Sequence, residues 1–174
     1  VRSASEFITE TIEAFYPPPD SRISPCPLWE KARGLVEFRP GEVSLWAGIN
    51  GHGKSMLLSQ VTLDLLVQDE RVLVLSFEMR PVRQMYRMSR QAYATEEPPI
   101  PFLKAFHQWT DGRLWMYDHT GSIHWEKVVA VMRYAEEQFG VTQFIVDSLM
   151  KCVRGDDDYN AQKDFVNELC AFAQ

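Results

Sequence analysis

Apolar residues recur at helical spacing along SEFITETIEAFY, residues 5 to 16, at Phe7/Ile8, Thr11/Ile12 and Phe15/Tyr16, until the prolines at 17 to 19 end the pattern. The spacing predicts a short amphipathic helix that runs into a stiff linker, so residues 1–19 read as a unit apart from residues 20–174. Pro40-Gly41 then signals a turn, and VSLWAG at 43–48 is an apolar run too short for a helix, which predicts a buried strand. Past a bare, glycine-rich interruption, SMLLSQVTLDLLVQ sets Leu58, Val61 and Leu65 on one helical face, and RVLVLSFE at 71–78 is a second strand-like run.

The alternation continues. PVRQMYRMSRQAYA has helical character and is rich in arginine, ATEEPPIP reads as a loop, and RLWMYD at 113–118 is a third strand. WEKVVAVMRYAEEQFG places Val128, Met132, Ala135 and Phe139 on one stripe and stops at Gly140, a C-cap residue. TQFIVD, ending at Asp147, is a fourth strand. AQKDFVNELCAFAQ then repeats Phe165, Leu169 and Phe172 up to the last residue, so the chain reads as a piece cut within a helix. Strands alternating with helices predict an α/β fold with a mostly parallel sheet, whose binding groups gather at the carboxyl ends of the strands.

Composition adds limits to this picture. With 174 residues, 45% hydrophobic and 24% charged, the chain has material for one globular core. A formal net charge of -6 and a pI near 5.2 exclude an overall basic field, so any contact with a polyanion is local. No apolar run approaches the roughly 20 residues of a membrane-spanning helix. VRSASEFITE lacks the apolar core of a secretory signal, and the expectation is a cytoplasmic protein with no membrane partner. Cys26, Cys152 and Cys170 form no CxxC pair and read as buried, reduced thiols.

The chemistry concentrates in the interruption itself. GINGHGKS, residues 48 to 55, matches the pattern GxxxxGK followed by Ser or Thr, and it sits between a predicted strand and a predicted helix. By chance, a chain of this length shows that pattern roughly once in a hundred or more cases. Glycines at 48, 51 and 53 let the backbone wrap, so that amides from Gly48 through Asn50, Gly51, His52, Gly53, Lys54, Ser55 and Met56 converge with the helix N-terminus on a polyphosphate. Lys54 is then the residue that reaches the β- and γ-phosphates, and the Ser55 hydroxyl takes one position on Mg²⁺. Asp147 ends an apolar run in the manner of a Walker B aspartate, a second magnesium-shell residue. Glu78 ends the second strand in SFEMR and is the candidate for polarising the attacking water, whereas Asp118 reads as a solvated strand end.

GEVSLWAGINGHGKS, SFEM and FIVDSLMK, in that order, resemble the RecA-like motor domain of DnaB-type replicative helicases, above all the phage primase-helicase and Twinkle-like branch. The resemblance spans roughly residues 28 to 174. It implies a P-loop NTPase core, here C-terminally incomplete, that hydrolyses ATP or another NTP with Mg²⁺ and moves on single-stranded DNA as a ring, a hexamer or heptamer. It also implies Lys54 and Ser55 for phosphate and metal, Glu78 as the base and Asp147 for magnesium. MKCVRGDDDYN resembles the first DNA loop of that family, with Lys151 and Arg154 able to meet phosphates while Asp156, Asp157 and Asp158 oppose them. The sensor strand, the second DNA loop and the arginine finger of the family have no counterpart up to Gln174, and no primase-like segment is present, so weak hydrolysis and no primer synthesis are expected of this chain. The helix before the prolines resembles the linker helix that holds neighbouring ring subunits, with packing on its own domain as the other reading. Three alternatives stay open: a RecA-like recombinase or DNA-dependent ATPase without unwinding, a small-molecule kinase, and a non-catalytic assembly module.

Overall fold

A computed structural model describes residues 2–18, 24–153 and 159–174. After a short 3-10 turn, helix α1 (Ile8–Phe15) is followed by α2 (Lys54–Val67), β1 (Val72–Ser76), α3 (Pro81–Tyr93), α4 (Ile100–Thr110), β2 (Leu114–Met116), α5 (Trp125–Phe139), β3 (Gln143–Asp147) and α6 (Tyr159–Ala173). The described strands form a three-stranded sheet in the order β2-β1-β3, with both pairings parallel. The α/β architecture with helices on a parallel sheet is therefore as expected.

β1 is central, and all five of its residues are buried. Its side chains alternate between two cores, as the period of two requires. Leu73 and Leu75, with Phe77 beyond the strand end, pack with Val128, Met132 and Ala135 of α5 and Phe165 of α6. Val72 and Val74 pack on the other face with Val61, Leu65 and Leu66 of α2, Met88 of α3 and Phe106 of α4. A strand covered on both faces is apolar throughout, which is why VLVL reads as a continuous run.

Helix α2 is sequestered well beyond the one stripe expected, since Ser59, Val61, Thr62, Leu63, Asp64, Leu65 and Leu66 are all buried. One cause is the incoming chain. Asp64 Oδ2 accepts the Leu28 amide at 2.9 Å, and Gln68 both accepts from the Cys26 amide at 3.1 Å and donates to the Cys26 carbonyl at 2.7 Å. Asp64 of α2 and its C-cap Gln68 thus give residues 26–28 hydrogen bonds that a neighbouring strand would otherwise supply. α5 ends as predicted, with Gly140 in the left-handed region at φ 63.

Several expectations are corrected. Residues 43–48 do not form the predicted strand: Val43 and Leu45 are 41% and 76% exposed, and the segment pairs with no described strand. An apolar, β-prone run becomes a strand only where a neighbour takes its alternate N–H and C=O groups, and the described sheet ends at β3. α4 forms where no element was anticipated. Its prolines suggested a loop, but Pro99 is the N-cap and Pro101 lies in the first turn, where a missing N–H costs no intrahelical bond. α1 is helical, yet none of its residues is buried, and Ile12 and Phe15 stand 52% and 77% exposed. Of the cysteines only Cys152 is buried, with its thiol pushed up to about 12 by burial; Cys26 is half-buried and Cys170 exposed. Among the described residues, no helix is long and apolar enough to cross a membrane.

The two-sided burial of β1 predicts that Leu75→Ala, at a fully buried position, lowers unfolding free energy by about 2–5 kcal/mol. Ile12→Ala on exposed α1 should change it by less than about 0.5 kcal/mol. Urea denaturation followed by circular dichroism measures both, and equal losses would contradict the assignment of the core to the two faces of β1.

Candidate active site

The turn before α2 is built on left-handed backbone. Gly51 and Gly53 both have φ 83, a conformation that costs a side-chain-bearing residue energy, and Gly53 is the N-cap of α2. No side chain caps that helix start. The first amides of a 14-residue helix are thus left for an outside acceptor, which is the condition for holding an anion. Lys54 bends back over the turn, and its Nζ donates to the carbonyls of Gly48 at 2.6 Å and Ile49 at 3.1 Å. In that pose the lysine closes the loop on itself. Asn50, Gly51, His52 and Met56 line the exposed rim.

The acids reach this turn through sheet register. Ser76 of β1 lies opposite Asp147 of β3, and the Phe77 amide donates to the Asp147 carbonyl at 2.7 Å. Glu78 follows immediately and is exposed, while Asp147 is 7% exposed. Ser148 Oγ donates to Glu78 Oε1 at 2.8 Å, linking the two strand ends. Burial pushes the Asp147 carboxyl above the ordinary carboxylate range, and the Glu78 charge adds to that. The Ser55 hydroxyl, hydrogen-bonded to Asp147, pulls the other way, as do Arg87 and Lys54. Lys54, Ser55, Glu78 and Asp147 therefore share one small volume at the carboxyl ends of β1 and β3.

The donor chemistry fits magnesium. A hydroxyl and a carboxylate side by side are hard oxygen ligands of the kind this ion takes along with waters and phosphate oxygens. Among the described residues, no group of three or more His, Cys, Asp or Glu side chains could hold a metal without such help. Clefts of about 510 and 460 Å³ open beside α3 and α4, and neither is lined by the turn or by Glu78 or Asp147. The turn and the two acids thus lie apart from both clefts.

A family model described as an AAA domain matches residues 29–173. The chain belongs to the AAA domain family. Membership places it in the P-loop ATPase class, the class to which the glycine turn and uncapped helix already pointed. No curated protein matches the chain.

Not every expected residue of this AAA domain falls at the site. Lys151 is exposed at the end of a 3-10 turn (Leu149–Lys151) just past Asp147, held by its own amide and carbonyl to Ser148 and Ile123. Arg154 and the aspartates at 156 to 158 lie outside the described residues. Asp118 is exposed past β2, as a solvated strand end should be. Two residues went unnoticed in the sequence: Ser148, which binds Glu78, and Arg87, whose charge acts on Asp147. An inward arginine within an arginine-rich helix carries no one-dimensional mark, and a serine after the aspartate reads as an ordinary turn residue.

The raised pKa of Asp147 sets a sign for stability. A carboxyl that holds its proton more tightly when folded stabilises the fold fully below the ordinary value of 3.8 and loses that contribution as pH rises through the raised value. Asp147→Asn should therefore melt higher than wild type at neutral pH without ligand, with the gap closing in acid. Calorimetry across that range decides it, and a lower melting temperature for the variant at neutral pH would overturn the electrostatic assignment.

Proposed function

We propose that this AAA domain is the motor core of a replicative DNA helicase, binding ATP or another NTP with Mg²⁺ and hydrolysing it to translocate on single-stranded DNA. The observation that carries the enzymatic part is the convergence of Lys54, Ser55, Glu78 and Asp147 on one uncapped helix start. The helicase part is supported by the order of GEVSLWAGINGHGKS, SFEM and FIVDSLMK along the chain.

In this reading the amides of Gly51 to Ser55 hold the polyphosphate, and Lys54 exchanges its two carbonyl partners for phosphate oxygens. Ser55 and Asp147 hold Mg²⁺, which, when bound, neutralises charge that develops on the phosphates. Ser148 fixes one oxygen of Glu78 and leaves the other to the water. Glu78 takes a proton from that water as its oxygen bonds the terminal phosphorus and the bridging oxygen departs with the diphosphate. Lys151, with Arg154, meets the DNA backbone. α1 and its N-cap Phe7 offer Phe7, Ile8, Ile12 and Phe15 as an exposed apolar surface for a neighbouring subunit of a hexameric or heptameric ring.

Purified protein should hydrolyse NTP faster with single-stranded DNA and displace an annealed strand. Glu78→Gln should lower kcat by about 100-fold or more while still binding nucleotide, and Lys54→Ala should lose binding as well. Hydrolysis stimulated by DNA without strand displacement would favour the DNA-dependent ATPase instead. A phosphorylated metabolite in place of free phosphate would point to a kinase, and full activity in both variants would remove the motor reading altogether.

A further inference from the structure

Helix α3 begins three residues after Glu78 and is strongly basic, with Arg83, Arg87 and Arg90 inside it, Arg80 as its N-cap and no acidic residue. Two of its side chains, four positions and hence one helical turn apart, each bury a polar atom without a hydrogen bond: Nη1 of Arg87 and Oε1 of Gln91. The other end of the Gln91 amide is engaged, donating to the Met56 carbonyl at 3.0 Å. This row of α3 therefore lies against the first turn of α2. A buried donor with no partner is costly, more so when it is charged, and such a group calls for an explanation.

The surroundings supply one. Asp147 is 7% exposed and has Glu78 as an acidic neighbour, while the ammonium of Lys54 is occupied by two carbonyls. Arg87 is the remaining cation whose field reaches Asp147. Its planar fork, unlike an ammonium, can fix the direction of a carboxylate as well as balance its charge.

We propose that Arg87 is the positioning residue for Asp147: its guanidinium is the fixed counter-charge of the acid pair, and the open Nη1 closes on the Asp147 carboxylate when the site is loaded. The inference rests on the magnesium-nucleotide reading of the site. Arg87 touches neither phosphate nor water in it and acts through Asp147.

The test uses Mn²⁺ as the metal probe, read by electron paramagnetic resonance with a non-hydrolysable nucleoside triphosphate on the intact protein, and triphosphate affinity in chelator read separately. Arg87→Met should weaken Mn²⁺ uptake by about 10- to 100-fold, the usual effect of removing a partner behind a metal ligand, and leave metal-free triphosphate binding unchanged. Arg87→Lys, which keeps charge without the fork and guards against misfolding of the methionine variant, should recover only part of the loss. Gln91→Ala, which removes the other orphan on the same row, should leave Mn²⁺ affinity as in wild type. Wild-type Mn²⁺ uptake in Arg87→Met, full recovery in Arg87→Lys, or an equal loss of metal-free binding would each overturn the proposal. If the wild-type protein takes up no Mn²⁺ with triphosphate, it is the magnesium reading itself that fails.

Discussion

Parallel pairing of β1 with β3 is the constraint on which the site depends. It sets Ser76 opposite Asp147 and lets the Phe77 amide extend the ladder by one bond, so that Glu78 emerges beside the aspartate. A slip of one residue would turn Leu73 and Leu75 away from α5 and bring Val72 and Val74 in their place, because side chains alternate strictly along a strand. The two hydrophobic cores therefore hold the register, and through it they hold the distance between two acids that contribute nothing to either core.

Once side by side, the two carboxylates are separated by environment. Asp147 lies within the fold, where burial favours its neutral form, and it is kept available as a charge by Ser55, Arg87 and Lys54. Glu78 is exposed and held from one side by Ser148. A buried acid among cations suits the holding of a metal, and a solvated acid held at one oxygen suits contact with water. The division arises from position at the strand ends, since both residues follow apolar runs that look alike.

The incoming chain shows how far helix α2 governs its surroundings. Its N-terminus carries the glycine turn, and its buried Asp64 and half-buried C-cap Gln68 hold residues 26–28 in place. Residues 43–48, between these two anchored points, run exposed except for Trp46, which is half-buried against the core that α2 shares with β1. The anion cradle is thus supported by its helix and by the loop-closing bonds of Lys54, and no described strand partner braces the segment that leads into it.

By itself the sequence determined the helices α1, α2, α3, α5 and α6 and the strands β1, β2 and β3, because continuous apolar runs and 3.6-residue spacing are local properties. It determined the glycine turn as well, since φ near 83 at Gly51 and Gly53 and an uncapped helix start follow from residue type. α4 was legible in principle from a proline in the first turn of a helix. Only the tertiary structure decided that 43–48 would find no described strand partner, that the apolar face of α1 would stay uncovered, that Ser148 would bind Glu78 and that the charge of Arg87 would act on Asp147. Hydrogen-bond partners across 70 residues, as between Glu78 and Ser148, are settled by packing, and no local period records them.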